Sequence, residues 1–221
     1  MRVRAGRHRR APHGRRARRA AGRWRRGPQV NAVAAITGQR VLGIVRAADR
    51  RAAETTAAAL LDAGLEAVEV SLTTPDALGA IEALSADGRL VGAGTVLDGP
   101  SAEAALRAGA CFLVSPVLSS EVIASGRGAG AAVVAAAATP TEALRALELG
   151  ADLVKLFPAR TWSPPAVADM LQALPQLPLV PTGGISLSAA PEWIAAGAVA
   201  VGMGGALTPE DVPGLLEAIG G

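Results

Sequence analysis

Eight short runs of valine, leucine and alanine recur from residue 41 onward, each separated from the next by a segment of helical character, and this alternation restricts the fold more than any other feature. The runs are VLGIVR (41–46), AVEVSL (67–72), LVGAGTV (90–96), CFLVSP (111–116), AAVVAA (131–136), DLVKLFP (152–158), PLVPTGG (178–184) and VAVGMGG (199–205). They are nearly continuous in apolar character, as expected for strands of a parallel sheet buried on both faces. Between them lie segments such as RRAAETTAAALLDAG and TPTEALRALELG, most closing on glycine and several opening on serine, threonine or proline. Four joints repeat one phrase, in DAGLEAVEV, RAGACFLVS, ELGADLVKL and AAGAVAVGM: a glycine ends a helix and a buried strand begins a residue or two later. Eight such short repeats in about 180 residues predict a single α/β domain, a closed (β/α)8 TIM barrel over residues 29–221. An open doubly wound sheet is disfavoured, because no glycine-rich dinucleotide fingerprint follows the first strand.

The composition supports one domain with a large core, since half of the 221 residues are apolar. The single cysteine, Cys111, lies in an apolar run and reads as a small core residue. No apolar stretch approaches the roughly 20 residues that cross a bilayer, so a cytoplasmic protein is expected. The net charge of +3 combines two unlike parts. Residues 1–28 hold twelve arginines, both histidines and no acid, which leaves 10 basic against 19 acidic residues, or −9, for the rest. The arginine-rich segment has too little apolar content to bury a core and is expected to be disordered. A polyanion-binding arm, a targeting segment and a mis-assigned start remain open for it. The acidic body gives no support for nucleic-acid binding by the barrel.

In such a barrel chemistry belongs at the C-terminal ends of the strands. There the sequence turns polar: Arg46 after the first run, Glu69 and then Thr73 and Thr74 in the second, Thr95 after the third, Lys155 in the sixth, and TGG and GMGG at the last two. Lys155 stands out, because 21 of the 22 basic residues are arginine and it is the one lysine. A guanidinium stays protonated, whereas an amine among apolar neighbours can lose its proton and attack a carbonyl. The alternative is a structural lysine paired with Glu69 or another carboxylate. Glycine pairs at Gly183–Gly184 and Gly204–Gly205 could expose backbone N–H groups to an anion or could simply form tight turns. The body contains no histidine, so neither a histidine metal site nor a histidine-based nucleophile triad is available to it. No metal and no other cofactor is expected.

The ordered set EVSLTT (69–74), GAGTV (92–96), VKLFPA (154–159) and PTGGIS (181–186) resembles the 2-keto-3-deoxy-6-phosphogluconate and 2-keto-4-hydroxyglutarate aldolases over about residues 35–215. The resemblance implies a class I aldolase in which Lys155 forms a Schiff base and Glu69 handles protons. It implies that Thr95 and Thr182 lie near the pyruvyl carboxylate and the iminium, that Phe157 flanks the lysine, and that the glycine pairs seat a phosphate. Substrates would be a sugar-acid phosphate and pyruvate, with no membrane or nucleic-acid partner for the barrel, and the assembly would be a homotrimer.

Some positions depart from the family pattern. Thr73 stands where phosphogluconate-specific members carry arginine, so Arg46 is the candidate partner for the substrate carboxylate, an arrangement resembling the 2-keto-3-deoxy-6-phosphogalactonate branch. Ala135 and Ala136 replace a Pro-Gly pair, and Gly205 replaces a serine of the phosphate loop. Two rival readings stay open: an aldolase of unphosphorylated 4-hydroxy-2-oxoglutarate, which would use the same lysine without the glycine pairs, and a non-catalytic barrel that binds a sugar phosphate.

Overall fold

The computed structural model describes residues 32–220. The arginine-rich segment 1–28, and with it the expectation of disorder, lies outside the described residues. The chain opens with α1 (Ala32–Gln39) and then alternates strictly: β1 (Val41–Val45), α2 (Arg50–Asp62), β2 (Val68–Ser71), α3 (Ala77–Ala86), β3 (Val91–Gly94), α4 (Gly99–Arg107), β4 (Phe112–Val114) and α5 (Ser120–Ala129). It continues through β5 (Ala132–Ala137), α6 (Pro140–Leu149), β6 (Leu153–Leu156), α7 (Pro164–Ala173), β7 (Leu179–Pro181), α8 (Ala190–Ala195), β8 (Val201–Met203) and α9 (Val212–Ile219).

All eight strands are parallel, each pairing with its successor from β1 to β7, while β8 returns to β1. The ring closes between β7 and β8 through a single bridge, Thr182 with Gly202, and one further backbone bond from Val199 N–H to the Leu179 carbonyl at 3.0 Å. This is the barrel that the eight apolar runs predict. The strands are shorter than the runs mainly at their C-terminal ends, where Arg46, Thr95 and Thr182 each follow the last residue of their strand.

Local sequence explains the helix boundaries. Asp49, Asp98, Ser119, Thr139 and Ser163 each accept a bond from a backbone N–H in the first turn of the helix that follows, satisfying a donor that has no partner within the helix. At the four repeated joints Gly64, Gly109, Gly150 and Gly197 adopt φ of 119°, 96°, 99° and 101°, a region that side chains disfavour.

Two cores follow from strand alternation. Outward residues such as Val68, Val70, Val154 and Leu156 pack under the helices. Inward residues Leu42, Phe112, Val134, Leu153 and Val180 fill the barrel and meet Ile36 of α1, which plugs the N-terminal end and is fully buried. Burying a side chain of this kind stabilises the fold by about 1.5–3 kcal/mol. Phe112 fits because Gly92 on the neighbouring strand lacks a side chain: a Cβ there would collide with the ring. Cys111 corrects its sequence reading. It precedes β4 by one residue and is exposed, the core places of that run being taken by Phe112, Leu113 and Val114.

Candidate active site

With one end plugged by α1, the polar residues of the interior gather at the other. On β2 the alternation that turns Val68 and Val70 outward turns Glu69 and Ser71 inward. Both are buried, as are Lys155 on β6 and Thr182 just after β7. Glu69 pairs in register with Gly92, and its carboxylate lies over Gly94, where a Cβ would collide with Oε1. The glycines of the GAGTV motif therefore make room for two unlike neighbours, an aromatic ring below and a carboxyl group above.

Glu69 Oε2 is buried and has no hydrogen-bond partner among the described residues. Burial pushes the carboxyl above its ordinary range, while Lys155 and then Arg46 pull it back without cancelling the shift. Lys155 pairs in register with Ala136 and Val180. Its Nζ lies 5.1 Å from the centre of the Phe157 ring, within reach of a cation–π attraction. It makes no hydrogen bond or ion pair with any described residue. A purely structural lysine buried beside a carboxylate would be expected to close the pair; this one does not.

Thr95 follows β3 with φ of 60°, a left-handed conformation that costs a β-branched residue about 1–3 kcal/mol. Its Oγ1 lies 2.8 Å from Ser71 Oγ, which is also 2.8 Å from Thr73 Oγ1. Three hydroxyls from two adjacent strands thus form one chain at the mouth. Ser71 carries no weight in the sequence reading, since a serine between hydrophobic residues gives no signal by itself; the inward parity it shares with Glu69 is the signal that could have found it. Thr182 turns its hydroxyl to the Val180 carbonyl at 3.0 Å and packs where Gly202 has no side chain. Arg46 is exposed at the end of β1.

Gly183 and Gly184 follow with φ of 100° and 83°. No described residue accepts a hydrogen bond from the backbone N–H of either, or from those of Gly204 and Gly205 after β8. Phe157 lies against Gly183, and the Phe157–Pro158 peptide is cis. A cavity of about 530 Å3 between the β2–α3 loop and α4 is lined by none of Glu69, Ser71, Lys155 and Thr182.

A buried amine and a carboxyl under one rim of hydroxyls and free amides can handle a carbonyl and the protons around it. Comparison with known proteins bears on which chemistry this is. Residues 33–215 match the sequence profile of the aldolases described as KDPG and KHG aldolase.

The chain belongs to the KDPG and KHG aldolase family.

Among its relatives, the 2-dehydro-3-deoxy-6-phosphogalactonate aldolase of Escherichia coli is 37% identical over 150 residues, 66% of this chain and 73% of the other. The solved 2-keto-3-deoxy-6-phosphogluconate aldolase of Zymomonas mobilis, which holds 3-phosphoglycerate, is 30% identical with a TM-score of 0.74, covering 86% of this chain and 94% of that one. The Legionella pneumophila KDPG aldolase, with pyruvate captured as a covalent carbinolamine, is 26% identical with the same TM-score of 0.74, over 86% and 97%. The protein is thus an aldolase of the KDPG and KDPGal type. In this KDPG/KHG aldolase, Glu69, Thr95, Lys155, Phe157 and Thr182, named from the sequence, converge on one end of the barrel, with Arg46 and the two glycine pairs on its rim. Among the described residues, no helix is long and apolar enough to cross a membrane, and no three His, Cys, Asp or Glu side chains cluster as metal ligands.

Proposed function

We propose that the protein reversibly cleaves a 2-keto-3-deoxy-6-phospho-aldonate, of the gluconate or galactonate series, to pyruvate and glyceraldehyde 3-phosphate through an iminium on Lys155. The observation that carries this reading is Lys155: a buried side chain whose amine makes no hydrogen bond or ion pair with any described residue, close enough to the buried Glu69 carboxyl for its charge to act on it. The carbinolamine trapped with pyruvate in the Legionella relative is the same chemistry at an early step.

The Lys155 amine, once it has given up its proton, attacks the C2 ketone to give a carbinolamine. Glu69, held towards its protonated form by burial, gives its proton to the departing hydroxyl, and the iminium forms. The resulting carboxylate takes the proton of the C4 hydroxyl, directly or through a water. The C3–C4 bond breaks, its electrons pass to the iminium, and the aldehyde leaves. The remaining enamine is protonated at C3, and water releases pyruvate by the reverse of the first steps.

The Ser71–Thr95 hydroxyls suit the pyruvyl carboxylate, Arg46 supplies a cation beside it, and the unpaired amides of the two glycine turns suit the terminal phosphate. A homotrimer is part of the same reading. Leu97 and Val117, 54% and 47% exposed after β3 and β4, give apolar surface that a second copy of the chain would cover.

The test is incubation with pyruvate, borohydride reduction and peptide mapping of the wild type against Lys155→Ala. A single pyruvyl adduct at Lys155, absent from the variant, is expected. A folded wild type without an adduct would overturn the mechanism.

A further inference from the structure

Arg160 is an exposed cation beside the glycine turns to which the reading above gives no task. It sits in a short 3-10 turn, Ala159–Thr161, directly after the Lys155 strand. That turn is tied to the end of β7 by the bond from Ala159 N–H to the Thr182 carbonyl at 2.8 Å. The Arg160 side chain lies across Gly184. A Cβ on Gly184 would collide with its Nε and would sit 2.6 Å from Cγ and 2.8 Å from Cδ. Arg160 forms no ion pair and no side-chain hydrogen bond with any described residue, although 19 acids were available to the chain.

These observations converge on one place. The glycine turn offers amides without acceptors and no charge of its own, and Gly205 across the seam brings no hydroxyl. An arginine laid along that turn with its charge uncompensated supplies what a phosphate dianion most needs, a planar cationic donor beside neutral N–H groups. We infer that Arg160 is a specificity-determining residue, the cationic half of a seat for the phosphate ester of the substrate, with the Gly183–Gly184 amides as the neutral half. Gly184 then has two duties, a left-handed turn at φ of 83° and a bare surface for the arginine stem. The inference rests on the reading that this mouth takes a phosphorylated substrate, and it makes phosphate preference depend on one side chain outside the reacting centre.

The experiment compares wild type, Arg160→Ala and Arg160→Lys in two assays. The first gives kcat/KM for the 6-phosphorylated and the unphosphorylated keto-deoxy acid. The second is titration calorimetry with inorganic phosphate, which requires no turnover. In Arg160→Ala the ratio of the two kcat/KM values should fall about 10- to 100-fold, through KM more than kcat, and phosphate binding should weaken by a similar factor. Arg160→Lys should recover part of both, because it restores the charge without the fork. An unchanged ratio and unchanged phosphate affinity in Arg160→Ala, with the pyruvyl adduct still forming on Lys155, would overturn the role of Arg160 and leave the aldolase reading intact. Phosphate binding that depends on Arg160 in a protein that never forms the adduct would support the seat and remove the mechanism.

Discussion

Gly94→Ala should silence the enzyme while leaving it folded, because the space it fills is the space the Glu69 carboxyl occupies. A Cβ at position 94 would lie 2.7 Å from the Glu69 carboxyl carbon, against 3.4 Å where ordinary contact begins, so that carbon must retreat by the difference, about 0.7 Å or more. A displacement on the order of 1 Å in a group that must meet a reacting atom costs about 100-fold in rate, and the same loss is expected in kcat for pyruvate release. The carboxyl ends a flexible side chain and can yield, so stability should change little. Gly92→Ala two residues earlier is the control. Its Cβ would collide with three atoms of the Phe112 ring, Cε2, Cδ2 and Cζ, and that ring is fully buried with nowhere to go. Overpacking of this kind costs about 1–3 kcal/mol, or about 2–4 °C in Tm for each kcal/mol in a chain of this length. Pyruvate release measured by a coupled assay and Tm measured by circular dichroism separate the two variants. A Gly94→Ala protein with wild-type kcat, or one whose activity is lost only in step with a fall in Tm matching that of Gly92→Ala, would refute the argument that this gap positions Glu69.

Glu69→Gln should abolish turnover and raise thermal stability at pH 8. Its carboxyl lies above the ordinary value of 4.5 in the folded chain, so its stabilising contribution is complete below that value and is lost as pH rises through the folded pKa. The Tm difference between variant and wild type should therefore shrink towards pH 4, and a constant difference would argue against burial as its cause. Thr95→Gly relieves the left-handed strain and should hold or raise stability by about 1 kcal/mol, while loss of the hydroxyl raises KM for pyruvate in the condensation direction. An unchanged KM would remove Thr95 from carboxylate binding. Ile36→Ala, at the plug of the barrel, should cost about 2–5 kcal/mol by urea unfolding, and a loss below 1 kcal/mol would show that α1 is dispensable.

Much of this was legible because barrel strands declare themselves twice, once by apolar runs and once by the repeated glycine joint. A lone lysine among arginines singled out β6, where the fold buries that side chain in the barrel interior. What the sequence could not convey depends on distance. Nothing in GAGTV says that its first glycine accommodates Phe112 and its second Glu69, because both partners come from other strands. Parity with Glu69 could have put Ser71 in the interior, but not its hydroxyl against Thr95, which lies 24 residues later in the chain. Arg160 reads as one more surface arginine until its side chain is seen lying across Gly184. Cys111 shows the opposite error, since an apolar neighbourhood in sequence does not decide on which side of the strand boundary a residue falls.

The joint between β7 and β8 adds a consequence for the whole ring. Seven strand pairs are zipped by regular ladders, whereas this one is fastened by a bridge and a single extra bond. The two glycine turns proposed to hold the phosphate rise on either bank of that weak joint. A dianion held by both would act as a clasp, so the molecule that is turned over would also be the last rung of the barrel that turns it over.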